Sequence, residues 1–282
     1  MRYGITGASG QLGREVATLL LEVVDAADVV LTTRNPNALA EFAGRGVDLR
    51  VADFEDLPSL TRAFDGIDSL LLISTDRVGD RVAGHLAAID AAANAGVGHL
   101  VYTSVPNPVE DNPALPAPDH LATEKALQER GFAWTSLRNN LYSELQVPSL
   151  VHAAASGTLV VNSGEGRAAY VTRGDCAAAA VGALTARGER NVAYDISGPQ
   201  ALSAYDLAEL AGAHVEVVQV DDAEFVAALI DSGLPEHAAN LIASFGVATR
   251  QGYLAEVTTA VHDLTGRQPT PLDQLIRSAP QH

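Results

Sequence analysis

Short strand-like runs alternate with helical segments through the first half of the chain. The strand-like runs cover residues 2–6, 29–33, 48–52, 69–74, 100–104 and 134–137. Between the first two runs, apolar residues recur at helical spacing, namely Val16, Leu19, Leu20, Val23 and Val24. Three further helical segments, residues 56–64, 80–94 and 119–130, each begin with an aspartate that can cap a helix. The pattern therefore predicts a regular β-α series.

Such a series predicts an α/β protein with a Rossmann-type, doubly wound parallel sheet and helices on both faces. After Arg138 the pattern loosens, and it predicts a hairpin-like region over 158–172, an Ala-rich helix from near 175 and a strand over 192–197 that returns to the main sheet. The remaining predicted helices cover residues 204–211, 223–232, 236–244 and 253–264. We therefore predict a sheet domain over residues 1–140 and a small, mostly helical lobe over 141–282.

A glycine-rich segment joins the first predicted strand to the first helix, with the spacing Gly-x-x-Gly-x-x-Gly. Gly7 permits a tight turn, Gly10 lets the backbone approach a pyrophosphate, and Gly13 lets the helix lie close to the strand. The free amide groups and the helix dipole favour an anion at this place. The candidate cofactor-binding residues of the segment are Gly7, Ser9, Gly10, Gln11, Leu12 and Gly13. A purely structural turn is the alternative.

The end of the second predicted strand distinguishes between two dinucleotides. A site for NAD usually has Asp or Glu there, which binds the ribose 2′-hydroxyl. This chain has Thr33, Arg34 and Asn35 instead, so Arg34 is available to pair with the 2′-phosphate of NADPH. Asp53, after the third strand, can accept a hydrogen bond from the adenine amine. An ordinary surface charge is the alternative for Arg34, and a turn cap is the alternative for Asp53.

Charge and composition exclude several classes of partner. With 35 acidic and 18 basic residues the formal charge is −17, which repels nucleic acids and anionic membranes, although it also serves solubility alone. Cys176 is the one cysteine of the sequence, which predicts a packed thiol, a reducing compartment and hence a cytoplasmic protein. No signal peptide or transmembrane segment is predicted. The eight histidines are scattered, so no metal site is predicted either.

Six segments, taken in order, resemble the NmrA-like atypical short-chain dehydrogenases/reductases, in particular their quinone oxidoreductase and triphenylmethane reductase types. The segments are residues 6–13, 33–36, 51–54, 102–104, 137–140 and 264–267. The resemblance implies an NADPH-binding domain over residues 1–140, a substrate lobe over 141–282 and a substrate cleft between them. It also implies either a quinone or dye reductase or a non-catalytic regulator that senses NADP(H).

One motif of the wider family is missing, and its absence bears on the chemistry. Many short-chain dehydrogenases carry Tyr-x-x-x-Lys, but none of the seven tyrosines here is followed by a lysine at that spacing. His120 is the candidate acid because histidine can donate a proton near neutral pH. A structural hydrogen bond from His120 to Glu124, on the same helix face, is the alternative. Asn140 is the second catalytic candidate, with a turn-forming role as its alternative.

The carboxyl ends of the predicted strands supply the remaining cofactor candidates, because open α/β sheets bind ligands at that edge. These candidates are Ser74 and Thr75 near the fourth strand and Ser104 at the end of the fifth. We predict an enzyme that uses NADPH to reduce a quinone or similar conjugated acceptor by hydride transfer. An NADP(H)-sensing regulator is the alternative. The predicted partner is a small molecule, and a homodimer is compatible with the sequence.

Overall fold

The computed structural model describes residues 1–185 and 190–278, and a seven-stranded parallel sheet lies at its centre. The strands of the described residues are β1 (Tyr3–Ile5), β2 (Val29–Thr33), β3 (Asp48–Val51), β4 (Ser69–Leu72), β5 (His99–Ser104), β6 (Ala133–Asn139), β7 (Thr158–Val161), β8 (Arg167–Ala168), β9 (Val192–Ile196), β10 (Leu202–Ser203) and β11 (Glu216–Gln219). The central sheet has the order β3-β2-β1-β4-β5-β6-β9. Tyr3 pairs with Val29 on one side and Ser69 on the other, so the strand order reverses at β1, where such sheets bind ligands.

Helices cover both faces of this sheet, which confirms the predicted doubly wound architecture. The helices of the described residues are α1 (Gln11–Leu20), α2 (Ala40–Ala43), α3 (Leu57–Phe64), α4 (Val82–Asn94), α5 (Ala117–Glu129), α6 (Val147–Ser156), α7 (Arg173–Thr185), α8 (Ala204–Ala211), α9 (Asp222–Asp231), α10 (Glu236–Arg250), α11 (Ala260–Thr265) and α12 (Leu272–Ser278). One apolar core lies between the sheet and α1, α7 and α11. A second core lies between the opposite face and α3, α4 and α5.

The C-terminal half contributes to the sheet and also builds a third core of its own. Strand β9 pairs with β6 in the central sheet, and helices α7 and α11 pack in the first core of that sheet. Strand β7 pairs in parallel with β11, and β8 pairs antiparallel with β10. Residues from α6, α8, α10 and α12 pack around these short strands. No helix of the described residues is long and apolar enough to cross a membrane.

The segment 158–172 does not form a hairpin, so that prediction is wrong. Its two extended parts, β7 and β8, pair with different partners from later in the chain. The turn between them is held against α10: a Cβ atom on Gly166 would lie 2.2 Å from the carbonyl oxygen of Thr249. Because the turn packs on a helix, the two strands diverge.

The predicted helix over residues 253–264 is also wrong in its first half, since only Ala260–Thr265 is helical. The carbonyl of Tyr253 accepts a hydrogen bond from the Asn107 side chain at 2.7 Å. The carbonyl of Leu254 accepts from the Ala169 amide at 2.9 Å and from the Asn140 side chain at 3.0 Å. Long-range partners therefore take the carbonyls that a helix would have used.

Only one of the three aspartates predicted to cap helices does so. The Asp56 side chain accepts the N–H of Ser59 at the start of α3. Helix α4 begins at Val82, and the Asp80 carboxylate binds Arg77 instead. Helix α5 begins two residues before Asp119, whose carboxylate binds elements outside the helix. Helix α10 continues to Arg250, beyond its predicted end at residue 244.

Candidate functional site

The glycine-rich turn leaves the N-terminus of α1 open to a ligand. Gly7 has a φ of +58°, which side-chain-bearing residues rarely adopt, and its carbonyl accepts the N–H of Gly10 at 2.9 Å. No side chain caps α1, so its first amide groups are available to an anion. A Cβ atom on Gly13 would lie 2.4 Å from the Gly7 carbonyl oxygen. The close approach of helix and turn therefore requires glycine at position 13.

A cavity of about 550 Å³ opens beside this turn, where β4, β5 and β6 end. Its far wall comes from Leu241 and Phe245 of α10 and from Leu254, and it is apolar. The cavity brings together many of the predicted site residues, namely Gly7, Gly10, Gln11, Leu12, Gly13, Ser74, Thr75, Ser104, His120 and Asn140. The site thus lies between the edge of the sheet and the C-terminal part of the chain.

Three predicted cofactor residues lie outside the cavity, near the ends of β2 and β3. The Ser9 hydroxyl is 2.9 Å from that of Thr33 and joins the turn to the end of β2. The Arg34 side chain is exposed and makes no hydrogen bond or ion pair with the described residues. The Asp53 carboxylate accepts the N–H of Glu55 at 3.1 Å, which is the turn-capping arrangement.

Several buried polar atoms at the cavity lack a partner among the described residues. They are Oγ1 of Thr75, Oγ of Ser104 and Oδ1 of Asn139, and all three residues line the cavity. A buried polar group left unpaired costs about 1–3 kcal/mol, so a polar ligand that pairs with these atoms is favoured. Together with the open helix N-terminus, this set of donors and acceptors fits the phosphates and polar groups of a dinucleotide.

His120 is neutral in this site, which corrects the expectation of a proton donor with a pKa near neutrality. The side chain is 2% exposed, and its Nδ1 lies 2.7 Å from the hydroxyl of Tyr102. Burial lowers the pKa of His120 well below 6.5, and the nearby charge of Arg81 lowers it further. The alternative bond to Glu124 is also absent, because the Glu124 carboxylate accepts Nε and Nη2 of Arg138 at 3.1 and 2.8 Å.

The contacts of Asn140 match the turn-forming alternative. Its Oδ1 accepts the amide of Leu141 at 2.8 Å, and its Nδ2 donates to the carbonyl of Leu254 at 3.0 Å. Its backbone amide donates to Ile196 on β9 at 3.0 Å. Both ends of the side-chain amide therefore hold backbone at the cavity wall. The unpaired Oδ1 belongs to the preceding residue, Asn139.

Arg81 and Arg173 line the cavity, although the sequence pattern marks neither as a site residue. The Arg81 side chain is 5% exposed, with Nε donating to the Asp119 carboxylate at 3.1 Å and Nη1 to the Thr75 carbonyl at 2.7 Å. The guanidinium of Arg173 lies 5.2 Å from the centre of the Tyr142 ring. Neither arginine belongs to a local motif, because the groups they contact lie far away in sequence or are backbone atoms.

Tyr102 belongs to a segment that carries the family resemblance, but nothing in the sequence marks its hydroxyl as part of a site, since it lies in a buried strand. The described residues contain no group of three or more His, Cys, Asp or Glu side chains placed to bind a metal ion. Cys176 is buried in α7, and burial raises the pKa of its thiol well above the usual range, as expected for a packed thiol.

Comparison with known proteins gives consistent matches. Residues 7–187 match a family model described as NAD(P)H-binding. Quinone oxidoreductase 2 of Escherichia coli (strain K12) is 35% identical over 276 residues, which are 96% of both chains. The crystal structure of the NADPH-dependent quinone oxidoreductase from Escherichia coli with NADPH has a TM-score of 0.93, 34% identity and 98% coverage of both chains. Triphenylmethane reductase of Citrobacter sp. with NADP(H) has a TM-score of 0.93 and 31% identity, covering 99% of this chain and 100% of that one.

Proposed function

Because the chain belongs to the NAD(P)H-binding, NmrA-like family of oxidoreductases and uses NADPH, we propose that it reduces quinones or similarly conjugated acceptors by hydride transfer. The observation that carries the proposal is the cavity itself. It continues from the glycine-rich turn to an apolar wall. His120 in the cavity is neutral, and the Tyr-Lys pair that donates a proton when a ketone is reduced to an alcohol is missing from the chain. An apolar wall with few polar groups suits a flat conjugated ring.

Residues along this edge of the sheet can be assigned to the parts of NADPH. We assign the pyrophosphate to the amides of Gln11 and Leu12 and the 2′-phosphate to Arg34. Thr75 and Ser104, whose hydroxyls lack a partner at the cavity wall, would hold the nicotinamide end. The assignment also includes Gly7, Ser9, Gly10, Gly13, Asp53 and Ser74. Residues 1–140 then hold the cofactor, and residues 141–282 cover the acceptor through Leu241, Phe245 and Leu254.

When bound, NADPH supplies a hydride to the acceptor. The acceptor gains two electrons and one hydrogen, becomes an anion and takes one proton from solvent, so that a quinone gives a hydroquinone and NADP⁺ remains. A reduced quinone spreads its charge over the ring, so one hydrogen-bond donor can stabilise it. A simple ketone becomes an alkoxide and needs a proton donor, which a neutral His120 does not provide.

Anaerobic oxidation of NADPH by the purified protein tests this proposal. The acceptors are a panel of quinones, triphenylmethane dyes and simple ketones of similar size. We expect oxidation with quinones or dyes and, with the ketones, no rate above that of buffer. Gly10→Val serves as the matched control, because it should remove cofactor binding and hence all turnover. Ketone reduction at rates comparable to quinone reduction would contradict the proposal, as would the absence of turnover with every quinone and dye.

A further inference from the structure

Tyr102 and His120 form a buried pair at the wall of the cavity. The Tyr102 side chain is 0% exposed on β5, and its hydroxyl oxygen lies 2.7 Å from Nδ1 of His120 on α5. The two ring centres are 5.7 Å apart. His120 lines the cavity, and its Nε2 has no hydrogen-bond partner among the described residues. Nε2 is therefore the ring nitrogen left for a ligand.

A neutral imidazole carries one hydrogen, which sits on either Nδ1 or Nε2. His120 is neutral because burial lowers its pKa well below 6.5, and Arg81 and His85 lower it further. Neighbouring acids do not restore the charge. The Asp119 carboxylate accepts from the Gly79 amide at 2.7 Å and from Arg81 at 3.1 Å. The titratable and charged groups around the pair are Arg81, His85, Asp119 and Glu124, the last bound to Arg138.

The hydrogens of the surrounding network can be placed one by one. The amide of Thr75 donates to Nε2 of His85 at 3.3 Å, so the hydrogen of this neutral histidine is on Nδ1. That Nδ1–H donates to the Thr123 hydroxyl oxygen at 3.1 Å. The Thr123 hydroxyl in turn donates to the Asp119 carbonyl at 2.8 Å. Thr123 is also within hydrogen-bonding reach of the Tyr102 hydroxyl, but because its hydrogen is directed to the Asp119 carbonyl, it can only accept from Tyr102.

The Tyr102 hydroxyl can donate its hydrogen either to Nδ1 of His120 or to the hydroxyl oxygen of Thr123. Nδ1 of His120, at 2.7 Å, is the better acceptor, because the Thr123 oxygen already accepts from His85. We propose that Tyr102 is a positioning residue that donates to Nδ1 of His120, so that His120 presents a neutral Nε2–H to the cavity. The ring is thereby held in one tautomer and one orientation. The His85 and Thr123 network keeps this direction of donation fixed.

This arrangement defines the role of His120 in the reduction of the acceptor; the inference rests on that proposed function. Nε2–H donates a hydrogen bond to the acceptor oxygen as negative charge develops there. It does not transfer its proton, because Tyr102 would then have to replace it, and burial raises the pKa of Tyr102 well above its usual value of 10. The proton comes from solvent after reduction. The site therefore suits acceptors whose reduced form is stable as an anion.

Nuclear magnetic resonance of ¹⁵N-histidine-labelled protein in complex with NADP⁺ reads the tautomer directly. His120→Gln identifies the His120 signals by removing them. We expect hydrogen on Nε2 and an unprotonated, hydrogen-bonded Nδ1, unchanged between about pH 5 and 8. In Tyr102→Phe the Nδ1 resonance should shift because its donor is lost. Tyr170→Phe, which removes a hydroxyl from another buried tyrosine, should leave it unchanged. Hydrogen on Nδ1 of the unmodified protein would overturn the proposal, even if Tyr102→Phe failed to fold.

Kinetics supply the second readout. His120→Gln retains a neutral N–H donor and should keep more of kcat than His120→Leu, which we expect to lose about 100-fold or more. Tyr102→Phe should lower kcat by about tenfold and leave the KM for NADPH unchanged. For the unmodified protein, kcat should be flat between about pH 5 and 8. A pH step near 6.5 that disappears in His120→Gln would overturn the proposal. Absence of quinone turnover with the expected tautomer would instead contradict only the proposed function.

Discussion

Replacing Gly13 by alanine should destabilise the fold, whereas replacing Gly10 by valine should remove cofactor binding and leave the fold intact. The two glycines lie in the same turn, but their surroundings differ. A Cβ atom on Gly13 would lie 2.4 Å from the Gly7 carbonyl oxygen and 2.7 Å from Cα of Ala8, both backbone atoms. A Cβ atom on Gly10 would lie 3.3 Å from the Gly7 carbonyl oxygen, and Gly10 has a φ of −75°, which any residue adopts.

The magnitude for Gly13→Ala follows from two opposing terms. Overpacking against rigid neighbours costs about 1–3 kcal/mol of stability. Because the new methyl group of Gly13→Ala meets backbone atoms, which cannot move aside, we take its cost as about 3 kcal/mol. Alanine is better than glycine within a helix by about 1 kcal/mol. The net loss of unfolding free energy is about 2 kcal/mol, which lowers Tm by about 4–8 °C in a protein of this size. For Gly10→Val we expect a loss of only about 1 kcal/mol: no side-chain cap is lost, but valine is a poorer N-cap residue than glycine.

Thermal unfolding followed by circular dichroism, with and without NADPH, separates the two roles. At a free NADPH concentration of about 100 times Kd, the unmodified protein should gain about 2.7 kcal/mol of stability. Gly10→Val should gain none, although it starts from a near-normal Tm. Gly13→Ala should start from the lower Tm. A Gly13→Ala protein as stable as the unmodified one would refute the packing argument, and normal NADPH stabilisation of Gly10→Val would refute the phosphate role of the turn.

Three further changes have defined outcomes. Arg34→Ala should weaken NADPH binding by about 10- to 100-fold, because a charge-assisted hydrogen bond contributes about 1.5–3 kcal/mol, and should leave NADH binding unchanged. Equal weakening of NADPH and NADH binding in titrations would contradict the 2′-phosphate assignment. Burial lowers the pKa of His85 and His99 to about 4, so only the unfolded state binds their protons between pH 6.5 and 4. The unfolding free energy in urea should therefore fall as pH drops through this range, by up to about 3 kcal/mol per histidine, and His99→Gln should flatten the slope. Asn140→Ala should cost about 1–3 kcal/mol of stability by leaving the Leu141 amide unpaired, and normal stability with a collapse of kcat would instead indicate a catalytic role.

The parts of the fold that depend on local pattern were predictable from the sequence. The strand, glycine turn and helix around Gly7–Gly13 follow from φ requirements and apolar spacing within about a dozen residues. The parallel sheet follows from repetition of that unit. The strand ends at Ser74 and Ser104 could be placed at the site because parallel strands end at one edge.

The remaining features depend on contacts that sequence spacing does not encode. Residues 251–259 stay non-helical because Asn107 and Asn140, more than a hundred positions away, bind the carbonyls of Tyr253 and Leu254. By residue type alone His120 is a plausible acid; burial in the folded protein, with the charge of Arg81 nearby, lowers its pKa and makes it neutral. Chemistry at this site is therefore set by tertiary neighbours more than by residue type.

The distribution of charge reconciles an acidic chain with an anionic cofactor. The formal charge is −17, yet Arg81 and Arg173 line the cavity and Arg34 lies at the end of β2. Arg34 and Arg173 make no ion pair within the described residues, whereas Arg81 is held by Asp119. Acids spread over the surface are screened beyond about 8 Å at physiological ionic strength, but arginines at a partly enclosed cavity would act on a phosphate held there at close range. On the proposed assignment, the arginines at the site therefore favour an anionic cofactor despite the net charge of −17.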